Sequence, residues 1–224
     1  TIIANFAFVS EGGKDKTDDG VIDAPLPPVM AAAGTMVSVP LPEGVDGGKI
    51  VVCYTDENGM EKTVPWSAVI DGNLCFIAPV DGEYCFREGD AGFTDIKGHW
   101  AKDYIEFAYS RNLFKGVGSR LFAPNDKMTR AMFVTVLGRL HGTDPEAFEG
   151  SSFNDVPAGK WYSPYVQWAA ENGIVLGSGG RFETDREITR QEMCVILKRY
   201  AEYAGLNLSE NVEVPGIVDE DMIS

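Results

Sequence analysis

Two arginines, Arg130 and Arg190, stand 60 positions apart, and each directly follows a threonine. Thr129 and Thr189 are good N-cap residues, so both arginines fall in the first turn of a helix, where the dipole disfavours positive charge. A cation there needs another justification: a structural carboxylate such as Asp95 or Asp155, or the anionic group of a ligand held by charge-assisted hydrogen bonds. Two other groupings carry chemical potential. Asp95 and His99 could form an acid/base pair, but the corresponding place later in the chain has no histidine and no nucleophile motif accompanies the pair. Asp15, Thr17, Asp19 and Gly20 fall at positions one, three, five and six of an EF-hand type loop, which would bind calcium. Leu26 stands where the bidentate acid is needed, and Ala24-Pro-Leu-Pro-Pro cannot begin an exiting helix, so the segment reads as an acidic solvated linker, with calcium at Asp15 and Asp19 as the alternative.

The elements that position these residues come as a repeat. Phe93, Asp95, Trp100, Tyr104, Ala108, Gly116, Phe122, Thr129, Arg130 and Leu137 reappear as Phe153, Asp155, Trp161, Tyr165, Ala169, Gly177, Phe182, Thr189, Arg190 and Leu197. A unit of that size is one supersecondary element that cannot bury its apolar face alone. Trp100, Tyr104 and Ala108, like Trp161, Tyr165 and Ala169, are spaced by four and predict one face of an amphipathic helix. Asn112 and Gly173 end it, both residue types that tolerate the left-handed conformation of a helix terminus. A second helix opens at Thr129 and at Thr189. Phe133, Val136, Leu137 and Leu140, with Met193, Ile196, Leu197 and Tyr200, mark its expected buried face. Thr189 and Glu192 predict a capping box, whereas Met132 stands at the glutamate position of the first repeat.

This pattern resembles the S-layer homology repeat, with its Phe-x-Asp opening, tryptophan before a helix, central glycine and Thr-Arg-Ala-Glu type signature. The resemblance implies non-covalent anchoring of a surface protein to secondary polymers of the Gram-positive type wall, often bearing pyruvylated sugars. It also implies three repeats in a pseudo-threefold helical bundle, with binding grooves between neighbours. Carried over residue by residue, Arg130 and Arg190 would face the acidic ketal, with Asp95, Asp155, Trp100 and Trp161 near the sugar. Gly116 and Gly177 would let the backbone approach the ligand. Core packing is the competing role for each tryptophan, and turn formation for each glycine. The implied location is extracellular, in the cell wall or S-layer.

Charge is unevenly spread. The net charge of -15 comes from 15 acids against 5 bases in residues 1–92 and 5 acids against none in residues 205–224, while residues 93–204 balance at 14 each. Such an acidic chain is repelled by nucleic acid and by anionic membrane surfaces. No apolar run is long enough to cross a bilayer, the longest being Val29 to Val39. The start at Thr1 lacks signal-peptide features, which suggests that the chain begins inside or after something larger. Cys53, Cys75 and Cys85 sit in strand-like runs, and Cys194 takes the place of Val134, as a small core hydrophobe would. No Cys-x-x-Cys or Cys/His cluster suggests zinc.

Residues 24–92 read as a small sandwich-like β domain, with strands at Val37-Ser-Val, Lys49 to Tyr54, Lys62-Thr-Val, Leu74 to Ile77 and Tyr84-Cys-Phe. Tight turns separate them at Glu57-Asn-Gly, Asp71-Gly-Asn and Asp81-Gly. The expected fold is therefore multidomain, β plus α. Residues 1–23 are the end of a preceding domain and a linker, 24–92 the β domain, 93–148 and 149–205 two repeats, and 206–224 a linker with the opening of a third at Ile217. The reading is a non-catalytic wall anchor that binds cell wall polysaccharide, with self-association in a surface layer as a further partner interaction. The alternative is a structural lattice or protein-interaction module without polymer binding.

Overall fold

The computed structural model describes Ile2–Ile3, Ile22–Asp23 and residues 26–89 and 91–206. The calcium-type loop around Asp15 and Asp19 and the repeat-like opening at Ile217 lie outside the described residues. The chain forms a β-rich N-terminal region with two sheets, followed by four α-helices, and divides into two compact units. One comprises Thr1–Asp126 with Arg139–Gly142, the other Lys127–Gly138 with Thr143–Ser224. None of the described helices is long and apolar enough to cross a membrane.

The first unit contains β1 (Ile2–Ile3), β2 (Ile22–Asp23), β3 (Val29–Ala31), β4 (Met36–Pro40), β5 (Ile50–Thr55), β6 (Glu61–Thr63), β7 (Ser67–Ile70), β8 (Asn73–Ile77) and β9 (Gly82–Glu88). One sheet runs β1-β4-β8-β7 and the other β2-β9-β5-β6, with β3 added on β9. Alternation along the strands sends Val37, Val39, Leu74 and Phe76 from one sheet, and Val52, Tyr84 and Phe86 from the other, into a shared core. The five expected strands are present. Within residues 24–92, β3 and β7 are additions: β3 is three residues long, and β7 shows little apolar alternation because all but Ser67 are exposed. Asp71 and Gly72, at φ 49° and 74°, make the two-residue turn between β7 and β8.

Helix α1 (Lys102–Ser110) belongs to the same unit, held there by Arg111. Buried Arg111 donates Nε to the Ser67 carbonyl at 3.0 Å and Nη1 to the Gly48 carbonyl at 3.0 Å, and its guanidinium lies 3.6 Å over the Phe107 ring. Burial lowers its pKa to about 10, which leaves it charged at neutral pH.

The second unit takes the first nine residues of α2 (Arg130–His141), together with α3 (Ser163–Glu171) and α4 (Arg190–Tyr203). Its core gathers Val134, Leu137, Phe153, Trp168, Phe182, Ile196 and Tyr200. The N–H groups of Arg130 and Ala131 donate to the carbonyls of Arg186 (2.9 Å) and Thr184 (3.2 Å), so the open first turn of α2 is satisfied by the second repeat.

The helix termini fall where the residue types place them. Asn112 and Gly173 adopt φ of 57° and 68°, and each is part of a paired closure: Asn112 N–H to Tyr109 O with Leu113 N–H to Ala108 O, and Gly173 N–H to Ala170 O with Ile174 N–H to Ala169 O. The buried face of α2 differs from expectation. Ala131, Val134, Thr135, Leu137 and Gly138 are buried, whereas Phe133, Val136 and Leu140 are half-buried. Close approach of α3 demands small residues on this face, because the Tyr165 ring fills the space a Cβ on Gly138 would take. The expected burial also fails at Leu197, Cys194, Trp100 and Tyr104, all of which are exposed. Their repeat counterparts Leu137, Val134 and Tyr165 are covered by an adjoining repeat, and among the described residues nothing covers α4 or α1 in the same way.

Candidate functional site: an arginine-lined groove at the repeat junction

The two Phe-x-Asp aspartates build the loops that carry the central glycines. Asp95 accepts the N–H groups of Phe122 (3.0 Å) and Ala123 (2.7 Å), and Asp155 accepts those of Phe182 and Glu183, both at 2.8 Å. The Phe122 N–H is the main force holding the Asp95 carboxyl below its usual range; at Asp155 burial opposes the shift and the two N–H donors overcome it. Each aspartate thus closes a loop 27 residues long onto its own repeat. The loops leave no room at the glycines. A Cβ on Gly116 would lie 2.5 Å from the Leu121 carbonyl and one on Gly177 2.5 Å from that of Arg181, with Phe93 and Phe153 pressed against them and φ at 72° and 64°. His99 is turned elsewhere: its Nδ1 accepts the Ala101 N–H, and no hydrogen bond joins it to Asp95.

Arg130 is buried and ion-paired. Its Nε donates to the Phe182 carbonyl at 2.9 Å, its Nη1 to Glu192 Oε1 at 2.9 Å, and its guanidinium faces the Phe182 ring. The partner carboxylate is therefore Glu192 of the second repeat, not Asp95 or Asp155. Glu192 also caps its own helix, accepting the Thr189 N–H at 3.0 Å while the Thr189 hydroxyl accepts the Glu192 N–H. Arg186 completes the cluster, bonded to Glu192 and to Glu183. Arg186 first, then the Thr189 N–H and hydroxyl and the charge of Arg130, hold the Glu192 carboxyl down to about 2 against the effect of burial.

Beside this cluster lies an open groove of about 360 Å³, lined among others by Arg130, Gly177, Gln191, Glu192, Val195 and Arg199. Of the eight expected site residues it takes Arg130 and Gly177. Asp155 stands behind it, holding the loop. Arg190 is exposed on α4 and does not line it; Asp95, Trp100 and Gly116 belong to the other unit. Trp161 is 51% exposed and makes an edge contact with Tyr162, and Trp100 is 83% exposed against His99. Sequence reasoning missed Arg199, Arg186 and the ionic role of Glu192. Arg199 was findable, since Arg139 occupies the same place in the first repeat. Arg139 donates to the Leu113 carbonyl at 3.0 Å, while the Arg199 guanidinium makes no hydrogen bond or ion pair among the described residues.

The family model of the S-layer homology domain matches residues 92–132 and 152–194, the two segments that carry these loops and helix starts. The chain carries S-layer homology domains. It is similar to the amylopullulanase of Thermoanaerobacterium thermosulfurigenes, 32% identical over 202 residues, which cover 88% of the chain and 11% of that protein. Exoglucanase XynX of Acetivibrio thermocellus is 35% identical over 59% of the chain and 12% of its own length. The S-layer protein sap of Bacillus anthracis is 28% identical over 62% of the chain and 17% of its own length. The chain thus spans under a fifth of each of these relatives. An alignment of 202 residues must include the β region as well as the S-layer homology domains.

Proposed function

We propose that this chain anchors a surface protein non-covalently to the cell wall, and that the groove at the repeat junction binds an acidic saccharide of a secondary wall polymer, with a pyruvylated sugar as the ligand class. S-layer homology domains occur in S-layer proteins and in surface enzymes such as those above, which supports a cell-surface anchoring role. The observation that carries the ligand class is Arg199: an unpaired cation at the wall of a groove whose other arginine, Arg130, is already neutralised by Glu192. An incoming carboxylate meets a free guanidinium there and can form a charge-assisted, bidentate pair. Gly177 brings backbone to the same wall, and Val195 supplies an apolar patch for a sugar face. Trp161 and Trp100 are exposed aromatics of the kind that stack on sugars, and Arg190 is an exposed cation in the same helix as Arg199, with no ion pair among the described residues.

In this reading the chain is an anchor and not an enzyme: the Asp95 carboxylate is committed to loop N–H groups and no hydrogen bond joins it to His99, so the two do not act as an acid/base pair. A third repeat completing a pseudo-threefold bundle would cover the exposed face of α4. The reading is tested by calorimetry of the full chain against pyruvylated wall fragments, and against the same fragments after acid removal of the pyruvyl ketal. Binding lost with the ketal supports the assignment; equal binding to both removes the acidic group from the recognition. No binding to either favours a lattice-building role.

A further inference from the structure

The β unit holds a second chemical grouping, unrelated to saccharide binding. Cys53 of β5 and Cys85 of β9 are register partners across antiparallel strands. Tyr84 and Phe86 point into the core, so Cys85 and Cys53 share the opposite face of the sheet. The two sulfurs and a Glu61 carboxylate oxygen all lie within 4.8 Å of one another. Glu61 is paired with Thr55, two residues to one side of Cys53, and Arg87 with Val51, two residues to the other. Arg87 donates Nε (3.1 Å) and Nη2 (2.7 Å) to Glu61 Oε2, so the ion pair runs diagonally across the row that contains Cys53. Cys53 is 3% exposed and Cys85 half-buried.

We propose that Cys53 and Cys85 are a redox pair that closes to a cross-strand disulfide by exchange with a small-molecule disulfide, stapling β5 to β9. Directly opposed residues hold their Cβ atoms about 4.5–5.5 Å apart, and a disulfide needs about 3.5–4.5 Å, so closure asks for a local approach of about 1 Å. Cys85 is the attacking group. The adjacent Cys53 thiol lowers its pKa to about 7, assisted by the charge of Arg87, while Cys85 and burial push Cys53 up. The Cys85 thiolate attacks one sulfur of the disulfide RSSR, and RS⁻ leaves. Cys53 then gives up its proton and attacks the Cys85 sulfur, expelling the second RS⁻. The protein loses two electrons and two protons and RSSR becomes two RSH. A divalent metal is the weaker occupant, because Arg87 already places a cation on the carboxylate that would have to bind it.

The test uses the full chain with Cys75→Ser and Cys194→Ser, which leaves only this pair. The reduced protein is treated with oxidised glutathione and followed by intact mass, peptide mapping and thermal melting. Closure should remove the mass of two hydrogens, retain no glutathione, join the peptides of β5 and β9, and raise the unfolding midpoint until reductant restores the original value. A persistent glutathione adduct on Cys85 with Cys53 still open to alkylation under denaturing conditions would overturn the proposal, as would no reaction. One equivalent of zinc retained by the reduced pair through dialysis would replace it with a metal site. If the serine variant does not fold, the same oxidation and mapping on the wild-type chain decides, with a Cys53–Cys85 peptide required.

Discussion

Arg130 and Glu192 lie 2.9 Å apart across the repeat junction, 62 residues separated in sequence, and Glu192 at the same time closes the capping box of its own helix with Thr189. One carboxylate therefore serves local helix formation and the joining of two repeats. It also explains how an arginine is tolerated in the first turn of α2: the unfavourable dipole is offset by a partly buried ion pair, a carbonyl acceptor at Phe182 and a ring face.

The first prediction concerns acid. The Glu192 carboxyl sits at about 2 in the folded protein and near 4.3 unfolded, so the stability it contributes is present above the unfolded value and is lost as pH falls through the folded one. Its side chain is partly exposed, which reduces the contribution to about 2 kcal/mol. Between pH 5 and roughly 2 the wild-type chain should lose that much, and Glu192→Gln should flatten this part of the profile. Urea melts across the range check it; parallel profiles would mean that Glu192 is not ionically coupled in solution.

Arg130 and Arg199 should separate stability from binding. Arg130→Gln leaves Glu192 with one partner fewer and breaks the Phe182 contact, and should cost about 3 kcal/mol of stability. Arg199→Gln should leave the melting temperature within error while weakening the affinity for an acidic wall fragment about tenfold or more, an effect that shrinks with salt. Calorimetry and melts on both variants give the answer. A destabilised Arg199→Gln with normal affinity would move the binding group elsewhere on α4, with Arg190 next in line.

Much of this was legible in the sequence because it depends on local chemistry. The Thr189–Glu192 box, the left-handed Asn112 and Gly173, and the Asp71-Gly72 turn are set by residues within a few positions of each other. Where burial depends on a neighbouring repeat, the sequence was a poorer guide. Periodicity marks an apolar stripe on α2 but not which edge is covered: Ala131 and Gly138 are buried where bulky Phe133 is not, and the smallness of Gly138 is what lets Tyr165 in. Trp100 and Tyr104 look like a core stripe by spacing and are exposed. The ionic partner of Arg130 is not legible locally, because Glu192 lies 62 residues away and its spacing to Thr189 signals only the cap.

Gly138 offers a test of sign. Glycine inside a helix is about 1 kcal/mol less favourable than alanine, so Gly138→Ala should stabilise if only propensity mattered. The Tyr165 ring occupies the Cβ position, so the substitution must push α2 and α3 apart and should destabilise by about 1–3 kcal/mol. In a Tyr165→Ala background the same change should become neutral or favourable. Thermal or urea melts of the four proteins form the cycle, and stabilisation in the wild-type background would show that the helices are not in contact there.

Leu137 and Leu197 occupy the same position of consecutive repeats, but the first is 4% exposed and the second 45%. Burial should decide the cost of truncation. Leu137→Ala removes a packed side chain and leaves a cavity, for about 2–5 kcal/mol, whereas Leu197→Ala should cost under about 1 kcal/mol. The Cys194→Ser change on the same face of α4 should likewise be nearly neutral, while Val134→Ser at its buried counterpart should not. Equal losses at Leu137 and Leu197 in urea melts of this chain would mean that the α4 face is covered in solution. If the Leu197 loss then grew with protein concentration, the cover would be a second copy, and a lattice-building role would gain over simple anchoring.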